Sequence, residues 1–414
     1  MQAPDCDVLI VGSGIVGATL ACALLQNGMQ VALVEAKPFP STPSLPKREH
    51  EEILTNSDLR TFALTRASER IFTNVGVWDK ILAQRVGPFR EMHVWDARGS
   101  GEIHFNSVAL HEPTLGYIVE QSVIQMALTS RLAEFENLTT YRPAKVQNFN
   151  LTTAEMAMQV QLDNGQTLTT RLLISAEGAH SSIRTLAGIR YKLLDHGQQA
   201  IVATVQTALP HQETAWQRFL PTGPLAFLPL SDAHTSSIVW SIDTPLAQHL
   251  KALDKIAFQQ ALETAFAFKL GAVTESGQRA SFPLQSRHVL NYVQPRLALV
   301  GDAAHTILPL AGQGLNLGLL DVAALSETIS NAQGKSRDFG NYRELRRYER
   351  WRKGDNLIML KVMDGFKHLF SNRSDLLTWT RNMGLSLTNT VEPLKYMIMQ
   401  HAMGLKGNLP RLAL

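Results

Sequence analysis

The stretch that most restricts how this chain can fold is its beginning. Asp7 to Val11 is a β-type run that leads into Gly12-Ser13-Gly14-Ile15-Val16-Gly17, then a helical stretch to about Gln26 that Asn27-Gly28 stops. A second apolar run, Val31 to Val34, ends in Glu35. Each glycine has a task in such a unit. Gly12 permits the tight turn, Gly14 lets a pyrophosphate approach the backbone, and Gly17 lets helix and strand pack closely. Glu35 is spaced to accept hydrogen bonds from both ribose hydroxyls of an adenosine, and its charge repels a 2′-phosphate. The spacing predicts a strand–helix–strand unit that takes FAD or NAD in preference to NADP.

A second constraining stretch runs from Arg296 to Leu325. Leu297 to Val300 reads as a short buried strand that stops at Gly301-Asp302, placing a carboxylate at a strand end. Pro309, Gly312 and Gly314 exclude regular structure up to the next helix. From Leu315 to Leu325 the residues are apolar on nearly every side, so that helix is expected to be buried. Its start, Gly312-Gln313-Gly314, carries no bulky side chain over the free N–H groups, and such bare amides attract negative charge. The stretch reads either as a ligand site or as an ordinary strand–loop–helix with a capping Asp.

Composition bounds the rest. The chain has 414 residues, enough for two or three domains and a large buried cofactor. Cys6 and Cys22 are its only cysteines, too few for a disulfide framework or a zinc quartet, which fits a reducing, cytoplasmic setting. No apolar run approaches ~18 residues, and no basic-then-apolar leader opens the chain. The net charge of +3 is unevenly placed. Lys335 to Leu414 holds 15 Lys/Arg against 7 Asp/Glu, a balance of +8, and the preceding residues hold 24 against 29, a balance of −5. That basic end reads as a surface for an anionic partner or as a solvated helix face.

Between the two constraining stretches, Lys37 to Ser57 reads as a loop. Asp58 to Thr65 leads into a helical stretch to about Val75, and Arg60 there reads as a phosphate contact or a surface ion pair. Met92 to Asp96 and Glu102 to Asn106 read as a hairpin. Gly116 to Leu128 looks like a strand entering a helix that Gln121 caps or from which it touches a ligand. Asp163-Asn164-Gly165 marks a second hairpin, which feeds the run Leu172 to Ile174 and then Glu177-Gly178, a second strand end bearing an acid. Ala200 to Thr207, Ala215 to Leu220, Leu225 to Leu230 and Ser237 to Ile242 read as strands with little helix between them, hence an antiparallel sheet beside the first domain. Pro245 to Leu270 reads as mostly helical. After Gly334 the chain reads as helices, with Tyr342, Leu345, Tyr348 and Trp351 along one side of the first.

The motifs GSGIVG with Glu35, AEG near residue 177 and GDAAHTILPLAGQGLNLG near residue 301 stand in the order that resembles the single-component flavin-dependent aromatic hydroxylases. DLRTFALT, LGYIVEQ and WQRFLPTGPLAFLPL resemble the branch that hydroxylates polyprenyl phenols in quinone biosynthesis. The resemblance covers residues 7 to about 370. It implies an α/β fold: a Rossmann-type FAD-binding domain from 1–75, 113–190 and 284–330, an inserted antiparallel-sheet substrate domain from 76–112 and 191–283, and a helical C-terminal region, 331–414. It further implies that Gly12, Gly14, Gly17 and Glu35 hold the ADP half. Arg60 and Gln121 would line the pyrophosphate and ribityl region, and Asp302 would bind the ribityl chain. Pro309 and the backbone of Ala311, Gly312, Gln313, Gly314 and Leu315, with Asn316, would face the isoalloxazine ring and stabilise its reduced charge. Where the family usually has Asp-Gly, this chain has Glu177-Gly178, which moves an acid tied to reduction by NAD(P)H outward by one methylene.

The chemistry implied uses NAD(P)H and O2. A flavin hydroperoxide would transfer oxygen to an electron-rich phenol ring, in a site that keeps water out. No metal is needed, and nothing calls for nucleic acid. His305 has no partner in sequence and reads as structural. Trp216, Phe219, Phe227 and Pro229 read either as core or as the wall of a lipophilic phenol's cavity. A membrane surface or a quinone-biosynthesis complex would deliver such a substrate, so a peripheral membrane location is expected. Rivals are a halogenase or prenyl reductase of related fold, and a flavoprotein serving as redox sensor or assembly subunit. Halogenases of this kind carry a WxWxIP stretch, and none of the six tryptophans lies in one.

Overall fold

The computed structural model describes residues 4–38, 58–99, 101–152, 157–308, 313–371, 395–396, 399–400 and 403–414. Most of the loop expected at Lys37 to Ser57 lies outside them. So do Pro309, Ala311 and Gly312.

The opening run forms the strand Cys6–Val11 at the centre of an eight-stranded sheet. It pairs in parallel with Val31–Val34 on one side and Thr167–Ser175 on the other. Leu138–Tyr141 and Leu297–Leu299 extend the parallel core outward. A parallel sheet is covered on both faces, and each of Val8, Leu9 and Ile10 is fully buried. The helix Ile15–Gln26 covers one face, and the helix Gln313–Gln333 packs against it. The hairpin at Asp163-Asn164-Gly165 joins Ala157–Leu162 to Thr167–Ser175, antiparallel as the turn signal implies.

The second sheet has nine strands, nearly all antiparallel. Its longest is Tyr191–Thr207, 17 residues, of which only the second half reads as a strand in the sequence. The first half is largely exposed, Tyr191, Leu193 and Leu194 included, and the register shifts between Asp195 and Gln199, where Gly197 takes φ +64. Thr214–Leu220, Gly223–Pro229 and Thr235–Asp243 follow as a meander. The hairpin Glu91–Asp96 with Glu102–Asn106 joins at the edge, in parallel with Thr214–Leu220. One face of this sheet packs on two helices, Thr244–Ala252 and Lys255–Ala265, which fill the helical stretch expected after Pro245. The other face turns towards the parallel sheet. His305–Thr306 pairs with Ala280–Val289 and so ties the two sheets together directly after Asp302.

Tyr342–Ser371 is one helix of 30 residues lying against Gln313–Gln333. Leu345 and Tyr348 are fully buried, and the Tyr348 hydroxyl donates to the Leu299 carbonyl at 2.8 Å. Trp351 flanks them, but Tyr342 is 44% exposed, so the expected stripe stops one turn short. No helix among the described residues is long and apolar enough to cross a membrane.

Candidate active site

Between the strand ends of the parallel sheet and the inner face of the nine-stranded sheet lies a cavity of about 1950 Å³. Ligand pockets ordinarily span ~300–1,000 Å³. This one has room for a large cofactor and a second molecule.

At one end lies the glycine loop. Gly12 has φ +101, and a Cβ on it would sit 2.6 Å from the Ala176 carbonyl. A Cβ on Gly17 would sit 1.9 Å from the Gly12 carbonyl, so the close packing of helix and strand admits no side chain there. Gly14 is different: a Cβ would meet nothing within 4 Å. It caps the helix Ile15–Gln26 with no side chain over the free amides, and it lines the cavity. That space is what a pyrophosphate against a helix N-terminus requires. Glu35 also lines the cavity. Its carboxylate accepts from the Ser13 amide at 2.8 Å, the Ser13 hydroxyl at 2.9 Å and the Lys37 amide at 2.9 Å. Burial works against its charge, but the Lys37 and Ser13 amides, the Ser13 hydroxyl and Arg142 outweigh it and hold the carboxyl below the usual carboxylate range. Gln125, which sequence reasoning passed over, donates to the Ser13 carbonyl at 2.9 Å and steadies the loop. Arg60 and Gln121 line the same cavity, both exposed, and the Gln121 amide donates to the Arg60 carbonyl.

At the middle lie the two other strand ends. Asp302 lines the cavity, and no described residue hydrogen-bonds its carboxylate. Burial pushes that carboxyl up, against the pull of His305, Arg60 and Arg287. Glu177 also lines the cavity, but its carboxylate is engaged by Ser175, Ser181 and Ser182 hydroxyls and by the Ile183 amide at 3.0 Å. The longer acid thus anchors the helix Ser182–Leu186. Buried Arg184 donates to the Ala303 carbonyl at 3.0 Å and to the Ala179 carbonyl at 2.8 Å, binding the turns that carry Asp302 and Glu177 to each other. The long helix starts at Gln313, and Gln313, Gly314 and Leu315 line the cavity. A Cβ on Gly314 would meet nothing within 4 Å, so there is space beside the first turn of the helix. Asn316 turns the other way. It is 2% exposed, donates to the Ala63 carbonyl at 2.9 Å and accepts from the Ser68 hydroxyl at 2.7 Å, joining this helix to the strand Thr61–Thr65 and the helix after it.

At the far end is the inner face of the nine-stranded sheet. Side chains alternate along a strand. On Thr214–Leu220 the cavity receives Ala215, Gln217 and Phe219, and on Gly223–Pro229 it receives Pro224, Ala226 and Leu228. Of the four substrate candidates, then, Phe219 lines the cavity. Trp216 and Phe227 lie on the opposite face, with the Phe227 and Phe266 rings stacked 4.0 Å apart and the Trp216 Nε1 donating to the His211 carbonyl. Pro229 is buried at the strand end, where its carbonyl crowds Gly87. The physical reason is the two-residue period: Phe219 and Trp216 are an odd number of residues apart.

His305 has a partner that the sequence does not reveal. Its Nε2 lies 2.5 Å from the Asp321 carboxylate, and both side chains are fully buried. Asp321 stands in a stretch otherwise read as apolar, and that lone acid in a buried helix is the signal that marks it.

The chain matches the family model described as FAD binding domain over residues 5–352. It is 36% identical over 400 residues to the 3-demethoxyubiquinol 3-hydroxylase of Escherichia coli, covering 96% of this chain and 98% of that protein. It is 37% identical over 399 residues to ubiquinone hydroxylase UbiL of Rhodospirillum rubrum, covering 96% and 89%. The crystal structure of p-nitrophenol 4-monooxygenase PnpA from Pseudomonas putida superposes with a TM-score of 0.74 at 16% identity, covering 96% of this chain and 98% of that one, a likeness of fold.

Proposed function

The chain belongs to the FAD binding domain family, and from that premise we propose that it is an NAD(P)H-consuming, FAD-dependent monooxygenase that hydroxylates the ring of a polyprenylated phenol in ubiquinone biosynthesis. The observation that carries the reading is the single cavity joining the glycine loop and Glu35 to the apolar sheet wall.

The geometry supports the following roles for the cofactor residues. Gly12, Gly14 and Gly17 shape the pyrophosphate cradle, and Glu35 accepts from the adenosine ribose. Arg60 and Gln121 flank the phosphates, and Asp302, whose carboxylate has no donor among the described residues, takes ribityl hydroxyls. The amides of Gly314 and Leu315, in the first turn of the helix Gln313–Gln333, stabilise negative charge on the ring. Once reduced by NAD(P)H, bound FAD supplies the activated oxygen. The chain's own share is to hold the phenol and exclude water. Ala200, Ala215 and Ala226 leave space on the sheet wall, and Phe219 and Leu228 keep it dry. Gln217 and Ser241 are the polar groups there that orient a ring hydroxyl. We assign no protein base to the phenol.

Supplied with a prenylated phenol and labelled O2, the enzyme should oxidise NAD(P)H in a substrate-stimulated way and carry the label into the product, read by mass spectrometry. Unlabelled product, or NAD(P)H oxidation that yields peroxide alone, sinks the proposal.

A substrate of this kind resides in a bilayer. We propose that the C-terminal helix meets the membrane surface, where exposed Ile358 and Val362 flank Lys361. Basic residues near an anionic surface contribute roughly 1 kcal/mol each. The protein should float with anionic liposomes at low salt and leave them at high salt. Equal binding to neutral liposomes, or none, counts against the surface and favours delivery by a protein partner.

A further inference from the structure

Two full turns into the long helix that closes the cavity, Asp321 is completely buried. Its carboxylate receives four donors from two separate parts of the chain. Oδ2 accepts from the Gly301 amide at 3.2 Å and from His305 Nε2 at 2.5 Å. Oδ1 accepts from Arg352 Nε at 3.0 Å and from Asn356 Nδ2 at 3.1 Å, both on the helix Tyr342–Ser371. Gly301 and His305 are the two flanks of the turn that presents Asp302. The turn itself is tight: Gly301 has φ +58, and a Cβ there would meet the Val16 side chain at 3.3 Å.

The Asp302 carboxylate faces the cavity with no hydrogen bond among the described residues, so its direction is set by the two flanks. One acceptor clamps both. A buried ion pair is weak evidence for stability, because desolvation offsets most of the attraction. A hydrophobic residue at this mid-helix position would pack at no such cost, but it would leave the Gly301 amide and His305 Nε2 without an acceptor.

We propose that Asp321 is a positioning residue for the cofactor: it fixes the Gly301–His305 turn so that the Asp302 carboxylate is aimed at the ribityl hydroxyls, and it makes that aim depend on Arg352 and Asn356 of the C-terminal helix. The inference rests on the reading that Asp302 holds the cofactor.

The test is a thermodynamic cycle on FAD affinity, read from fluorescence quenching as FAD is added to the apoprotein. Asp302→Ala should weaken FAD binding about ten- to hundredfold, the range for a hydrogen bond to a charged group. Asp321→Asn should weaken it by a similar factor. In the Asp302→Ala background, Asp321→Asn should add less than about twofold, because both act through one contact. A structural ion pair would lower the melting temperature and leave FAD affinity alone, or would multiply the loss in the double variant; either result overturns the proposal. Should Asp321→Asn not fold, His305→Gln, which leaves the Asp321–Arg352 pair intact, carries the same cycle. An unchanged affinity in Asp302→Ala fails the cofactor role of Asp302 itself. A lost affinity there beside an unchanged one in Asp321→Asn fails the positioning role alone.

Discussion

The nucleotide end and the flavin end of the cavity each rest on an acid at a strand end, and the two acids are kept in opposite conditions. Glu35 has both carboxylate oxygens engaged, by the Ser13 amide and hydroxyl and by the Lys37 amide. Asp302 has no such partner among the described residues. The first is held below the usual carboxylate range and the second is pushed above it by burial. The nucleotide end is therefore complete before any ligand arrives. At the flavin end the Asp302 carboxylate has no donor among the described residues, and on the proposed reading a ribityl hydroxyl supplies one. Order built into the first end supplies affinity by preorganisation, and the unmet need at the second supplies discrimination.

The largest blow to that contrast comes from the nucleotide end. Gly17→Ala puts a Cβ where only 1.9 Å separates it from the Gly12 carbonyl. Overpacking of this kind costs ~1–3 kcal/mol or more, here in the turn itself. The purified variant should be colourless, and wild-type flavin absorbance would show that this end is not rigid. Next come the two acids themselves. Glu35, with its carboxyl lowered in the fold, contributes stability at neutral pH that is lost as pH falls through its folded value. Asp302, raised, favours the fold at low pH, and that contribution is lost as pH rises through its folded value. At neutral pH, Glu35→Gln should lower the apoprotein's melting temperature by a few degrees, whereas Asp302→Asn should leave it unchanged or higher. Equal losses in both would erase the contrast. The smallest effect is expected at Glu177. Glu177→Asp pulls the carboxylate back from Ser182 and the Ile183 amide, so the rate of flavin reduction in a stopped-flow trace should change while FAD affinity stays nearly constant. A reduction rate equal to wild type makes Glu177 an anchor and nothing more.

Legibility in the sequence followed the range of the interaction. The glycine loop and its strands were readable because every constraint there acts within some thirty residues and leaves a residue type behind: no side chain fits at Gly17, and no other residue takes φ +101 as readily as Gly12. The meander from Thr214 to Asp243 was readable from its β-branched and aromatic content. The first half of Tyr191–Thr207 was hidden, since a strand exposed on both faces and running through a bulge has no alternation to detect. The substrate wall was half legible. Aromatic content drew the eye to Trp216 and Phe227, but which of two faces meets the cavity is decided by a sheet partner and two helices far away in sequence. Asn316 was read as a flavin contact and Asp321 was passed over, for a related reason. A polar residue in an apolar helix announces that it has partners without saying whether they are ligand or protein. Both here are answered by protein, from Ala63, Thr65 and Ser68 in one case and from Gly301, His305, Arg352 and Asn356 in the other.

The alternation along Thr214–Leu220 and Gly223–Pro229 also governs how this protein can diverge. Odd and even positions of the same strands serve two separate masters, one the cavity and the other the aromatic layer of Phe227, Phe258 and Phe266. Point substitutions at Ala215, Gln217 or Ala226 can drift towards a new ring or tail while the layer beneath keeps the domain folded. A single inserted or deleted codon within a strand has the reverse outcome, since it exchanges the two faces and delivers Trp216 into the cavity and Gln217 into the core. In a lineage of such enzymes, length changes in this region should therefore collect at the bends, such as Pro221-Thr222 and Ser231 to His234, while the strands between them vary by replacement alone.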